Sequence, residues 1–592
     1  MKYTFLKREC IVNGASGSAP EQELHSRRAL LRYIGGIALG AMTTSVLAAC
    51  GPAAAPATSG ATPAAAPTIA PTAVVASPTT APRPASASAT TAPANPTPAA
   101  APAGAPSGTL RYANADFSNE SMDPINLESP WGFALYDSLL TFDQQGNVVG
   151  NLAENYSLSD DGLTWTFQIR KGVKFHNGDP LTAADVVFSL QRFGSKDSTN
   201  PWSPYLLKNN QSITAPDDYT VIYTAQRPEW PLKVPFAWVR IWPNKYFNQV
   251  GQDGFQANPV GTGPYKFSKW VPKTSMEFDA NTDYWGPKPQ WAHIIETFVP
   301  EEATRVAQLE RGDVDIIGAL SFDRLVELKN NGFRLQEVGL PTLASLCFPA
   351  TWMTQGPTSD IRVRQAMSYA VNRQEISDTF YKGLGKPGGW WFWSEQTWGF
   401  DPSQWTADAY DPDKAKQLLS DAGYPGKFNP QTITLYTNQV MADLMQVLQG
   451  YWQNVGLQTD IQVVDSAVWL SLSFVRVKSD TDKQVGAVMP SAQTSFFNNV
   501  YHSANLFTST GTRSTGNDPQ ADQMYQAAVT ELDPTRAKQL WQQMMHYGYD
   551  KMWVNVELTE VPTYFVLGPN VGAFTYKQYL SMQDAYVGIQ HA

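Results

Sequence analysis

The sequence predicts an α/β protein of two or three lobes carried behind a long non-globular leader. Helical and strand-like periodicities are mixed along residues 108–592. That stretch is also long and apolar enough for more than one hydrophobic core. Everything before it lacks the composition of a folded domain.

The leader divides in two. Ser26-Arg27-Arg28-Ala29-Leu30-Leu31-Arg32 precedes an apolar run from Tyr33 to Ala49, shorter than the ~20 residues a spanning helix needs. The run ends in Leu47-Ala48-Ala49-Cys50, small residues directly before a cysteine. Basic region, apolar region and small-residue cleavage site together read as an export signal over residues 1–49. The paired arginines resemble a twin-arginine signal and the last four residues resemble a bacterial lipobox, which implies that Cys50 becomes the lipidated first residue of the mature chain. From Gly51 to Ser107 the composition falls to Ala, Pro, Thr, Ser and Gly, with Arg83 the only charge. Such a segment has too little to bury to offset the entropy of ordering, and its prolines make it a semi-rigid spacer. Residues 50–107 are therefore expected to be a tether that lifts a soluble domain off a membrane surface.

Charge excludes one class of partner. The chain carries 43 Lys and Arg against 53 Asp and Glu, a net charge of −10. Loss of the first 49 residues, with six basic and three acidic side chains, makes the remainder more acidic still. No basic stripe remains to hold nucleic acid. Of three cysteines, Cys10 lies in the signal and Cys50 at the anchor, so Cys347 stands alone and no internal disulfide is expected.

The globular part is punctuated clearly. Leu163 to Arg170 alternates apolar and polar residues, a strand with one buried face, and Asn177-Gly178 supplies a turn. Thr182 and Asp185 have capping-box spacing ahead of a helix through Phe193. Asp411-Pro412 opens a helix with Leu418, Leu419 and Ala422 on its apolar face and Gly423 at its end; Asp533-Pro534 opens another. Glu301 to Arg311 reads as a helix closed by Gly312, followed by a strand from Val314 to Ala319. Gly172 and Gly178 are read as turn glycines, Gly261 and Gly263 as a tight chain reversal, and Arg364 as a brace on a helix.

Several blocks then carry a resemblance. Asn151-Leu152-Ala153-Glu154-Asn155-Tyr156, Ser159-Asp160-Asp161-Gly162-Leu163-Thr164-Trp165-Thr166-Phe167 and Arg170-Lys171-Gly172-Val173-Lys174-Phe175-His176-Asn177-Gly178 come first. Pro259-Val260-Gly261-Thr262-Gly263-Pro264-Tyr265, Asp360-Ile361-Arg362-Val363-Arg364-Gln365-Ala366 and Tyr410-Asp411-Pro412-Asp413-Lys414-Ala415-Lys416 follow in order. Together they resemble the family 5 solute-binding proteins of ABC importers, the receptors for oligopeptides, dipeptides, nickel and oligosaccharides. The resemblance implies a bilobed fold of the periplasmic-binding-protein type II-like class (cluster C) with an extra insertion subdomain. It places lobe I at 108–150, 259–345 and 556–592, the insertion at 151–258 and lobe II at 346–555. It implies a monomeric binding protein outside the cytoplasm, on the periplasmic side or the cell surface. Its partners would be a small ligand, the transmembrane subunits of an ABC permease and, through the anchor, the membrane.

Ligand chemistry is where the chain departs from that family. Its peptide receptors carry an acidic residue for the ligand's α-ammonium group, in a segment that corresponds here to Ala487–Phe497, which has no carboxylate. A buried ammonium without a counter-charge costs several kcal/mol in order of magnitude. Aromatic faces are the expected replacement: Trp390, Trp391 and Trp393, opposite Trp131 and near Phe496 or Phe497, can stack on sugar rings, peptide side chains or cations. A core role for each tryptophan stays open. Met122-Asp123-Pro124 resembles a family Leu-Asp-Pro, and Glu128 nearby is a candidate relocated counter-charge. Peptide is the expected ligand and oligosaccharide its rival. A tethered glycan hydrolase with paired carboxylates is the alternative of another class. However, Gly-x-Ser-x-Gly and His-Glu-x-x-His do not occur, and His176, His293, His502, His546 and His591 show no metal-ligand spacing. No cofactor, metal or catalytic residue is expected.

Overall fold

The computed structural model describes residues 105–592 apart from short stretches, the longest being 349–355, 389–398, 402–407, 473–486, 495–505, 510–516 and 575–585. The expectations for the signal, for Cys50 and for the tether lie outside the described residues. Among the described residues no helix is long and apolar enough to cross a membrane.

The strands that build the molecule are β1 (Ser107–Asn114), β2 (Ala153–Leu158), β3 (Thr164–Ile169), β4 (Asn210–Asp217), β5 (Thr220–Ala225), β6 (Tyr265–Val271), β7 (Ser275–Ala280), β8 (Trp291–Phe298), β9 (Ile316–Ile317), β10 (Arg334–Cys347), β11 (Lys386–Pro387), β12 (Ile433–Thr437), β13 (Thr459–Val463), β14 (Ala487–Thr494) and β15 (Val554–Leu567). The helices used below are α1 (Gly132–Leu135), α2 (Ala183–Phe193), α3 (Lys233–Trp238), α4 (Glu302–Arg311), α5 (Ile361–Tyr369), α6 (Pro412–Ala422), α7 (Ala442–Asn454), α8 (Pro519–Thr530) and α9 (Pro534–Asp550). One mixed sheet runs in the order β13-β12-β14-β10-β15-β9-β1-β8-β7-β6, with β11 added to β15. A separate antiparallel sheet, β2-β3-β5-β4, forms its own module.

The large sheet has two halves joined by its longest strands. Residues Arg334–Val338 of β10 pair with Thr563–Leu567 of β15 beside β9. Thr342–Cys347 continue the ladder with β15 on one side and β14 on the other. Between them the register slips from Val338↔Thr563 to Thr342↔Val561. Cores sit on both sides of this slip. Leu110, Phe278, Ile294 and Phe565 are among the residues that fill one; Val363, Leu435, Leu448 and Trp452 belong to another. The four-stranded module buries its own cluster, with Trp165, Phe167 and Phe236 in edge-on contact.

Local chemistry starts and stops the helices. Thr182 N–H donates to the Asp185 carboxylate at 3.0 Å, one arm of the capping box that opens α2. Asp411 Oδ1 accepts from Lys414 N–H at 2.9 Å and Asp533 Oδ1 from Arg536 N–H at 2.8 Å, capping α6 and α9. Gly423 (φ 78°) and Gly312 (φ 75°) end α6 and α4 in the left-handed region. The strand expected over 314–319 shrinks to Ile316–Ile317. The buried Arg305 guanidinium takes the Gly318 and Ala319 carbonyls at 3.2 and 2.6 Å, which removes them from any ladder.

The module is pinned to the first half by polar contacts. Arg192 of α2 pairs bidentately with buried Asp123, both contacts at 2.7 Å, and stacks over Phe247. Arg170 of the module stacks over Trp285, which the first half holds in place: there Asp137 accepts from Tyr284 Oη at 2.8 Å, Trp285 Nε1 at 2.8 Å and Thr262 Oγ1 at 3.0 Å. His176 joins the same seam: Nε2–H donates to Gly263 O at 3.0 Å, and Nδ1 accepts Gly261 N–H at 3.2 Å. The two glycines there serve close approach. A Cβ on Gly261 would fall 2.0 Å from Leu135 O, and one on Gly263 2.5 Å from Ala134 O.

Two predictions follow from these contacts. Gly261→Ala should cost about 3 kcal/mol or more, since backbone blocks the new methyl. Gly450→Ala, on an exposed turn of α7 with nothing within 4 Å, should instead add about 0.5–1 kcal/mol. Denaturant unfolding of both variants checks the contrast; equal effects would refute it. The second concerns pH. Burial, above all, pushes the His176 imidazole down to about 4. The unfolded chain binds a proton near pH 6.5 that the folded chain refuses. Stability should therefore fall by about 3 kcal/mol as pH drops from 6.5 to 4, then level off. His176→Gln keeps donor and acceptor without titrating. The stability difference between wild type and variant should shrink by that amount over this range, and a constant difference would reject the assignment.

Candidate functional site

The segments singled out for ligand contact meet the structure unevenly. Glu128, Trp390, Trp391, Trp393, Phe496 and Phe497 lie outside the described residues. Trp131 is fully buried in the core of the first half, and its carbonyl accepts from Ala134 N–H at 3.0 Å to open α1. It presents no surface to a solute in this conformation. Met122-Asp123 is part of the scaffold, with Asp123 committed to Arg192.

The strands leading into the two aromatic segments are nevertheless placed. β11 pairs with β15, Pro387 opposite Thr559; Thr559 stands opposite Ala344 of β10, and Ala344 opposite Ala492 of β14. Pro387 and Ala492 thus lie on one row across four strands, about 15 Å apart at the usual strand spacing. From that row the chain runs in opposite directions along the strand axis. β14 heads for the slip in β10 as it approaches Phe496, and β11 heads away from it as it approaches Trp390.

β14 lies between β12 and β10, inside the sheet. Its ladder to β12 covers only Ala487 and Val488, so Pro490 falls where the β12 side needs no donor. Cys347, half-buried on β10 between Met489 and Val554, packs against the cluster built by α8 and α9.

A further junction connects the module with the second half. In the stretch Glu229-Trp230-Pro231-Leu232-Lys233, Trp230 packs against the α8–α9 cluster, and its Nε1–H donates to Ala528 O of α8 at 3.0 Å. Beside it, buried Glu229 accepts from Asn209 Nδ2 at 2.8 Å and Arg227 Nη2 at 3.1 Å. Burial, with Glu229 adding to it, raises the Tyr525 hydroxyl of α8 well above its ordinary value. Sequence reasoning missed this junction. Its only local signal is a tryptophan between two prolines, which reads as core. Among the described residues no cluster of His, Cys, Asp and Glu could hold a metal ion.

The comparisons fit this architecture. A family model, bacterial extracellular solute-binding proteins, family 5 Middle, matches residues 147–517, across the module and both halves of the sheet. The glutathione-binding protein GsiB of Pectobacterium atrosepticum is 28% identical over 383 residues, 62% of this chain and 71% of that protein. The dipeptide-binding protein of Escherichia coli is 28% identical over 369 residues, 55% and 65% of the two chains. The ABC transporter-associated periplasmic binding protein DppA from Helicobacter pylori, solved in complex with peptide STSA, matches with a TM-score of 0.69 at 21% identity. That match covers 82% of this chain and 98% of that one, and it shows the bilobed fold. With the family model spanning well over half its length, this chain belongs to the bacterial extracellular solute-binding proteins of family 5.

Proposed function

We propose that this chain is the solute-capturing component of an ABC importer, that its ligand is a peptide, and that it works from a lipid anchor at Cys50. The observation that carries the reading is the family match over 147–517, joined by relatives named for dipeptide and glutathione binding. Lobe I comprises 108–150, 259–345 and 556–592, the insertion 151–258, and lobe II 346–555. The ligand is held between the lobes, which close about the slip in the β10–β15 pair and so give the permease a distinct state to engage. Trp390, Trp391 or Trp393, with Phe496 or Phe497, supplies stacking area in that cleft. Glu128 stands in for the acid missing from 487–497.

Two predictions test this. Cys50→Ala should release the protein from membranes or block its maturation, and Arg27 and Arg28 changed to lysine should stop export by the twin-arginine route. Fractionation of the Cys50 variant with the membrane, as in wild type, refutes the anchor. For the pocket, peptide binding should quench tryptophan fluorescence, and the alanine variant of the contacting tryptophan should lose about 2 kcal/mol of affinity or more. Glu128→Gln should weaken a peptide held by its amine and leave a neutral saccharide unaffected. Oligosaccharide binding without peptide binding overturns the peptide reading.

A further inference from the structure

Besides the shared strands, the two halves of the large sheet touch at two kinds of place. One set of contacts lies beside the slip. Phe322 and Tyr381 meet edge-on at 4.9 Å and Asp323 pairs with Lys382 at 3.0 Å, just ahead of β11, which joins β15 next to the slip. Contacts this near a hinge can survive rotation about it. The other tie runs through the module and lies farther out. Trp230 packs on the α8–α9 cluster, and so does Cys347 at the end of β10. From Thr342, where pairing resumes, β10 rises about 17 Å to Cys347 at the usual strand spacing.

Each side of this second tie is fixed to its own half. The module is pinned to the first half by Arg192 on Asp123, Arg170 over Trp285, and His176 on Gly261 and Gly263. The helix pair is pinned to the second half at two points. Lys551 O accepts from Arg364 Nη2 of α5 at 2.8 Å, and Gln542 Nε2–H donates to Gly399 O at 2.8 Å. Between these two bodies the contact is small. Trp230 Nε1–H donates to Ala528 O at 3.0 Å. Leu532, in the turn between α8 and α9, leans on the turn between β2 and β3: a Cβ on Gly162 would fall 2.8 Å from Leu532 Cδ2 and 3.0 Å from Pro228 Cβ.

A rotation of about 20°, about an axis across the strands at the slip, moves a point about 17 Å away by about 6 Å. No hydrogen bond of 3.0 Å survives that. The halves therefore cannot turn in this way without parting Trp230 from Ala528 and Leu532 from Gly162. One neutral hydrogen bond and a few apolar contacts are weak enough to release, yet they bias a two-state equilibrium by about tenfold.

We propose that Trp230 and Leu532 form a latch between the module and the α8–α9 pair, which holds the two halves in the arrangement seen here and opens when they separate. This rests on the reading in which the halves close about the slip, and it gives the module, which has a sheet and core of its own, a mechanical part in that closure. Ligand and latch favour the same arrangement, so a weaker latch lowers apparent affinity by the fraction of closed protein lost.

The test is double electron–electron resonance on the mature protein, with nitroxides on unnatural keto residues at Asp283 in the first half and Ser420 in the second. Both positions are exposed, and the chemistry leaves Cys347 untouched. Without ligand, wild type should show a main distance and a minor one. Trp230→Ala and Leu532→Asp, on opposite sides of the contact, should each raise the minor population about tenfold relative to the main one, and Trp230→Phe should raise it less. Leu532→Asp should melt as wild type does, since that side chain is exposed. Distances unaltered by both Trp230→Ala and Leu532→Asp overturn the latch. So does a shift in Trp230→Ala alone, which marks damage to the module. A tryptic digest of casein, added as a source of peptides, separates the two readings. If the latch variants change nothing but the digest moves the wild-type distance, closure about the slip stands without the latch. One fixed distance in wild type and variants, with and without the digest, removes both.

Discussion

One strand pair carries the two halves of this protein, and a slip within it sets how they meet. β10 has three residues, Gly339, Leu340 and Pro341, between its paired Val338 and Thr342, where β15 has only Pro562. Extra residues on one strand bend it and raise its local twist. Both prolines fall inside the slip, where the ladder is already interrupted, so their missing N–H groups forfeit no sheet hydrogen bond. Placed two or three residues away in either strand, each would break a regular ladder. Either side of the slip, the same two strands serve different neighbours: β9 on one side, β14 and β11 on the other.

Local grammar was legible in the sequence and long-range fit was not. Thr182 with Asp185, Asp411-Pro412 with Gly423, and the alternation before Arg170 each act within a few residues, and each stands where the spacing put it. Gly261 and Gly263 illustrate the other kind. The sequence shows a chain reversal there, and the chain does bend at 262–264, but it does not show that the carbonyls of Leu135 and Ala134 press on both glycines from more than a hundred residues away. The strand expected through Ala319 failed for the same reason, because Arg305 claims carbonyls that alternation alone would assign to a neighbour. Of the candidate ligand residues only Trp131 is described, and it lies in the core. An apolar residue's side of a wall is set by what packs behind it, which one sequence does not record.

Buried polar groups are answered in two ways that recur among the described residues. A buried arginine ends in backbone carbonyls, as Arg364 does on Thr358, Ser359 and Lys551, which ties α5 to the turn after α9. A buried carboxylate gathers several donors, as Asp137 gathers Tyr284, Trp285 and Thr262. Such groups cost little once satisfied and a great deal when one partner is removed, so they fix geometry more than they add stability. Arg364 and Thr262, both in family-resembling blocks, belong to such networks, and in that role they report the fold and not the ligand.

The missing acid is best understood from the same viewpoint. A carboxylate held in a binding cleft is poorly solvated whenever no ligand answers it. A receptor that needs an acid there must tolerate that penalty whenever it is empty. Here β14, paired on both sides within the sheet, carries no charge and so escapes that penalty.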